Sequence, residues 1–139
     1  RGETSAPLVK SLSDSGVKVN VTAVFTSVQV EEIQQALNPE IPSYVSIFAG
    51  RIADTGVDPV PIMREAVAVL AHLEKCELIW ASPRELLNIF QADEVGCHVI
   101  TVTSDVLKKL GLVGMDLREY SLETVQMFFD DALAAGYSL

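Results

Sequence analysis

The chain is short of the residues from which most recognisable metal and redox centres are built. Two cysteines, Cys76 and Cys97, and two histidines, His72 and His98, are scattered through 139 residues. Neither pair has the spacing of a zinc site, so no metal is expected. Two separated thiols with no disulfide framework read as reduced, buried cysteines of a cytoplasmic protein. Cations are also scarce: ten Lys and Arg stand against nineteen Asp and Glu, a formal net charge of −9. That balance argues against nucleic acid or an anionic membrane surface as the main partner. A small phosphorylated ligand stays open, because it needs only a few local cations. No apolar run approaches the ~20 residues of a membrane-spanning helix. The opening RGETSAPLVK lacks an apolar leader core, so no signal peptide is expected in it. An opening without methionine points to a processed or truncated chain. There is no P-loop, no dinucleotide glycine pattern and no Ser/His/Asp order.

What is present is an alternation. Hydrophobic residues make up 49% of the chain and the mean hydropathy is +0.31, enough for a sizeable core in one ordinary domain. A short helix is expected through APLVKSLSDSG, ending at Gly16. The β-branched run VKVNVTAVF, 17–25, predicts a strand. SVQVEEIQQAL, 27–37, has helical spacing at Val28, Val30, Ile33 and Leu37, with Ser27 as its N-cap. SYVSIFAG, 43–50, is the second expected strand. VPIMREAVAVLAHLE, 60–74, is the longest helix, with Pro61 in its first turn. CELIWAS, 76–82, and HVITVT, 98–103, are the third and fourth strands, separated by a helix over 83–93. A short helix follows, capped by Ser104 and closed at Gly111. A final amphipathic helix is expected over 121–136, with a weak capping box at Ser121 and Thr124.

Nearly continuous apolar strands alternating with helices predict a parallel sheet and right-handed βαβ units. Four units could form a small open sheet with helices on both faces, or half of a (β/α)8 barrel. Counting by parity puts Asn20, Thr22 and Val24 on one face of the first strand and Tyr44, Ser46 and Phe48 on one face of the second. Trp80 with Ser82, and Thr101 with Thr103, do the same in the third and fourth. One polar face per strand favours the barrel wall over a sheet covered on both sides. In a barrel, sites gather at the C-terminal ends of the strands, where Thr22, Ser46, Arg51, Ser82 and Arg84 stand. Taken singly, each arginine reads as a surface ion pair, for instance with Asp54 or Glu85. Taken together after consecutive strands, with a serine hydroxyl beside them, they read as a phosphate clamp. Backbone N–H groups near Pro83 and Arg84 are expected to be free to add to it. Asn20 and Thr22 read either as satisfied core polar groups or as groups that orient a substrate or a water. No lysine is placed to form a Schiff base in a dry pocket. Lys18 has the parity of Asn20 but starts its strand, at the wrong end for a barrel site.

In order along nearly the whole chain, VKVNVTAVFT, YVSIFAGRIADTG, LIWASPRE and GCHVITVTSDVLKKL resemble motifs of the transaldolase family, including its fructose 6-phosphate aldolase-like branch. The resemblance implies parallel (β/α) units forming the C-terminal half, strands five to eight, of a TIM (β/α)8 barrel spanning 1–139. By position it implies that Arg51, Ser82 and Arg84 hold a sugar phosphate. Thr22 would orient the catalytic water, Asn20 and Ser46 would contact the dihydroxyacetone-like part, and Phe48 would line the pocket. Gly50 would let the chain turn so that Arg51 faces the phosphate. Ile47 stands where many members have proline, and Pro83 where many have phenylalanine. The family's Schiff-base lysine would lie on a strand upstream of this chain, and no cofactor is implied.

The reading is an aldol-transfer or aldol-cleavage enzyme acting on a phosphorylated ketose or aldose. The expected partners are a missing N-terminal half-barrel or a second copy, in a homo-oligomer. The alternatives are a sugar-phosphate-binding half-barrel without catalysis, and an inactive fragment.

Overall fold

The computed structural model describes residues 2–137, in two compact units, one running to Leu107 and one starting at Lys108. The first contains α1 (Ala6–Asp14), β1 (Asn20–Val24), α2 (Ser27–Ala36), β2 (Ser43–Ile47), α3 (Ala49–Ala53), α4 (Val60–Leu70), β3 (Cys76–Trp80), α5 (Leu87–Glu94) and β4 (Val99–Ile100), with all but the last residue of α6 (Ser104–Lys108). The alternation expected from the sequence is therefore present, with one addition. The short helix α3 occupies what was expected to be the end of a strand and a loop.

Local chemistry explains most of the boundaries. Pro7 stands in the first turn of α1, where its missing N–H costs nothing. That helix stops before Gly16, whose φ of +82° suits a residue without Cβ. The Gly16 N–H reaches Ser13 O at 2.9 Å and the Val17 N–H reaches Leu12 O at 3.0 Å, closing the last turn. Helix α2 is capped by Thr26, not by Ser27. Thr26 Oγ1 accepts from the Gln29 N–H, and the Gln29 side chain accepts from the Thr26 N–H in a complete capping box. Ser27 instead donates its hydroxyl to Glu65 on α4. In α4, Met63, Ala66 and Leu70 recur at helical spacing and are buried, which is why this run is a helix and which face it turns inward. Helix α6 starts at Ser104 itself, so the capping position falls to Thr103, whose carbonyl accepts from the Leu107 N–H at 3.0 Å.

The strands form one parallel sheet in the order β1-β2-β3-β4. Val45 pairs with Leu78 and Ile47 with Trp80, so these four side chains share a face. Buried residues of α1, α2, α4 and α5 pack into the same cluster with them, among them Val30, Ile33, Met63, Ala66 and Ala92. Helices thus cover one face, as consecutive right-handed crossovers require. The opposite face carries Asn20, Tyr44, Ser46, Glu77 and Ile79; Asn20 and Glu77 are exposed, whereas Ser46 and Ile79 are buried.

Parity counting misplaced two residues. Trp80 lies opposite Ile47 on the helix-covered face and is fully buried, so it does not share the polar face expected for it with Ser82. Val24 pairs with Ile47 and is buried, away from Asn20. A bulge causes this second change. Between Val21↔Val45 and Val24↔Ile47, two residues of β1 stand opposite one of β2, and Ala23 adopts a φ of +60°. The fourth strand is also shorter than expected. The Leu78 N–H donates to His98 Nδ1 at 3.1 Å and the Leu78 carbonyl accepts from Cys97 Sγ at 3.2 Å. Side chains there take the place of ladder bonds. Thr101 lies just past β4, its N–H on Trp80 O at 3.1 Å, and Thr103 lies beyond the ladder.

The second unit contains a 3-10 turn at Lys109–Leu112 and helix α7 (Leu117–Ala134). Gly111 lies inside that turn and does not close a helix. Helix α7 starts one turn earlier than expected, because Asp116 caps it, accepting from the N–H groups of Arg118 and Glu119 at 2.9 and 3.1 Å. Ser121 and Thr124 are interior residues of α7, and the Thr124 hydroxyl donates to Tyr120 O at 2.8 Å.

Candidate functional site

Thr22, Ser46, Arg51, Ser82 and Arg84 lie near or just beyond the C-terminal ends of β1, β2 and β3, whereas Asn20 begins β1. On the polar face of the sheet the Ser46 hydroxyl donates to Asn20 Oδ1 at 2.8 Å, joining neighbouring strands. Ser46 is only 4% exposed, so this pair satisfies a buried hydroxyl. Thr22 is exposed on the bulge, and no hydrogen bond among the described residues ties it to that pair. It lines a cavity of about 430 Å³ with residues 2–5, Gln29 and Glu32. The structure therefore unites Asn20 with Ser46 and leaves Thr22 apart from them.

Beyond β2, Phe48 precedes α3 and turns its ring toward Phe25, with centroids 5.9 Å apart. The Arg51 guanidinium, on α3, lies over the Phe48 ring at 5.4 Å from its centroid. This is within cation–π range, and it gives Phe48 a supporting role for Arg51. Arg51 is exposed and has no carboxylate partner among the described residues.

Beyond β3, the chain makes an unusual turn at Ser82, whose φ is +57°. The loop is fastened to the neighbouring one by backbone bonds. The Ala81 N–H donates to Ile47 O at 2.8 Å, and the Gly50 N–H to Ala81 O at 3.3 Å. A Cβ on Gly50 would lie 1.4 Å from the Ser82 carbonyl oxygen and 3.3 Å from Arg84 Cγ. Gly50 is thus a helical residue whose missing side chain lets two loops touch. It is not the turn glycine that the sequence suggested.

The Arg84 guanidinium pairs with Asp54, one of the two carboxylates named as competitors for it, and both side chains are about half exposed. The backbone N–H groups expected to be free near Pro83 are not free. Asn88 Oδ1 accepts from the Arg84 N–H at 2.8 Å and from the Glu85 N–H at 3.1 Å. Helix α5 begins at Leu87 and not at residue 83. Asn88 was missed by the sequence reading. Its signal is an amide side chain four residues after an arginine in a strand-to-helix loop.

The remaining chemistry is quiet. Burial pushes the thiols of Cys76 and Cys97 up from their ordinary range, so both are poor nucleophiles. Both are free. Lys18 sits over the Tyr44 ring at 4.8 Å, before the start of β1 and away from the rim. Among the described residues no group of three metal-ligating side chains occurs, and no helix is long and apolar enough to cross a membrane.

The chain matches the family model for Transaldolase/Fructose-6-phosphate aldolase across residues 3–138. It is 35% identical over 103 residues to a "Probable transaldolase" of Methanococcus maripaludis (strain C5), covering 73% of this chain and 46% of that protein. Another "Probable transaldolase", from Clostridium acetobutylicum, is 34% identical over 109 residues, covering 78% of this chain and 49% of that one. The chain spans about half the length of the curated relatives it matches. Among solved structures, one described as "Native KDPGal structure" is 14% identical, covers 74% of this chain and 54% of its own, and has a TM-score of 0.32, too slight a likeness to bear on fold or function. The match across 3–138, with these relatives beside it, shows that the chain belongs to the Transaldolase/Fructose-6-phosphate aldolase family.

Proposed function

We propose that this chain is the C-terminal half of a (β/α)8-barrel enzyme that makes or breaks a carbon–carbon bond in a sugar phosphate, and that it supplies phosphate recognition. The observation that carries the reading is the family match across residues 3–138. The half-barrel is supported by the consecutive parallel order of the strands and by the helix-free polar face. Two unpaired sheet edges and that face would be covered by an N-terminal half or by a second copy. In this reading a lysine upstream of the chain attacks the ketose carbonyl, and the resulting Schiff base accepts the electrons of the cleaved bond.

The residues here bind and orient. Arg51, Ser82 and Arg84 hold the phosphate, with Gly50 keeping their two loops in contact. An anion at this rim would share Arg84 with Asp54, whose pairing is exposed enough to exchange. Asn20 and Ser46 meet the hydroxyls of the substrate near the carbonyl. Thr22 orients the water that enters and leaves the Schiff base, and Phe48 supports Arg51. We place the protein in a reducing compartment, where both thiols stay free.

The test is Arg51→Ala and Arg84→Ala in the longest natural form of the protein, read as KM for a phosphorylated sugar. Each loses a charged hydrogen bond worth about 1.5–3 kcal/mol, so KM should rise about tenfold or more. Unchanged KM in both variants would remove the clamp.

A further inference from the structure

Two strand-to-helix loops at the rim are held by the same device. After β1, Gln29 Oε1 accepts from the Phe25 N–H at 2.9 Å and from the Thr26 N–H at 3.1 Å. After β3, Asn88 Oδ1 accepts from the Arg84 N–H at 2.8 Å and from the Glu85 N–H at 3.1 Å. In both, one amide oxygen on the following helix takes two successive backbone N–H groups, four and three residues before it. The two helices otherwise share no sequence pattern, so geometry has selected the same solution twice.

We propose that Asn88 is a positioning residue for anion binding at the rim, acting through the loop that carries Ser82 and Arg84; this rests on the phosphate reading above. Asn88 is only 7% exposed. Its Nδ2 donates to Gln91 Oε1 at 2.9 Å, which fixes the amide so that Oδ1 points back to the loop. With Asn88 holding the N–H of Arg84 and the Ser82 carbonyl resting on Gly50, the stretch from Ser82 to Glu85 is pinned from both sides. Such pinning also offsets the cost of holding Ser82 at positive φ, a conformation that a serine seldom adopts unsupported. Because the two N–H groups are consumed, recognition at this loop falls to the guanidinium and the hydroxyl, and depends on where the backbone puts them.

The experiment titrates inorganic phosphate into the longest natural form of the protein and into its Asn88→Ala, Asn88→Gln and Arg84→Ala variants, with NMR shifts of the rim amides as the readout. Asn88→Ala should bind phosphate about two- to tenfold more weakly, the equivalent of one or two neutral hydrogen bonds. Asn88→Gln should return to within about twofold of the natural chain, because Gln29 shows that the longer amide performs the same task. Asn88→Ala binding as tightly as the natural chain, while Arg84→Ala binds weakly, would overturn the role of Asn88 and leave the phosphate reading standing. Equal binding by the natural chain and Arg84→Ala would overturn both. A merely stabilising role would lower the melting temperature of Asn88→Ala without changing its phosphate affinity. Should Asn88→Ala fail to fold, amide exchange in the natural chain decides. Slow exchange at Arg84 and Glu85, with and without phosphate, supports the proposal, and fast exchange at either overturns it.

Discussion

Replacing Gly50 by alanine isolates the contact on which the rim depends. Gly50 is in α3 and its φ is not positive, so backbone conformation does not require glycine there. Helix propensity alone would favour alanine by about 1 kcal/mol. The contact argues the other way. The added Cβ would sit 1.4 Å from Ser82 O and 2.6 Å from Ser82 C, and both atoms are backbone. Ordinary contact begins at 3.4 Å, so the two loops must part by about 2 Å. Their separation strains the Gly50 N–H bond to Ala81 O and the Ala81 N–H bond to Ile47 O. Overpacking of this kind costs about 1–3 kcal/mol, and the upper end applies because no side chain can rotate away. With the propensity gain subtracted, Gly50→Ala should lose about 2 kcal/mol. The assay is urea unfolding followed by circular dichroism, with an unchanged slope certifying that stability is what moved. Gly111→Ala is the control, since nothing lies within 4 Å of a Cβ there and its φ is not positive. Equal or greater stability in Gly50→Ala would refute the close approach of the two loops.

Three further outcomes follow from the structure. Thr26→Ala removes half of the α2 capping box and should lower stability by about 1 kcal/mol in the same unfolding assay; no change would mean that the box is not a stabilising cap. The thiols of Cys76 and Cys97 are both raised above the ordinary 9.0 by burial, so they are neutral at pH 8 and should react with iodoacetamide far more slowly in the folded chain than in denaturant. A raised acid pKa in the folded state contributes stability below the unfolded value and loses it as pH rises through the folded one. Stability should therefore fall above pH 9.0, and a Cys76→Ser, Cys97→Ser double variant should lose that alkaline slope.

The alternation of strands and helices was legible because each type of element carries its own hydrophobic period. The β-branched run 17–25 marked β1, short apolar runs marked β2 and β3, and Val30, Ile33 and Leu37 marked α2 by their spacing. Facing was less legible. Parity assumes a regular pleat, and the bulge at Thr22 and Ala23 breaks it, so Val24 turned to the other side. Trp80 was placed with Ser82 by the same counting, yet β3 ends at Trp80 and its side chain lies in the helix-covered core beside Ile47. The candidate residues were legible as positions near strand ends, because Arg51 and Arg84 each follow an apolar run that stops abruptly. What held those positions was not. The role of Gly50 depends on the Ser82 carbonyl in the loop after β3, and Asn88 depends on the path of that same loop. Both contacts have a backbone group of a distant or looping segment as one partner, which leaves little trace in residue types.

The central claim is that this chain binds the sugar phosphate while a lysine outside it forms the covalent intermediate. The most direct measurement is an intact mass spectrum of the protein after treatment with fructose 6-phosphate and borohydride. The account predicts a trapped sugar on a longer parent chain or on a separate N-terminal polypeptide, and none on the 15.1 kDa chain. A sugar adduct on the 15.1 kDa chain itself would contradict it, since one of its own lysines would then be the Schiff-base residue.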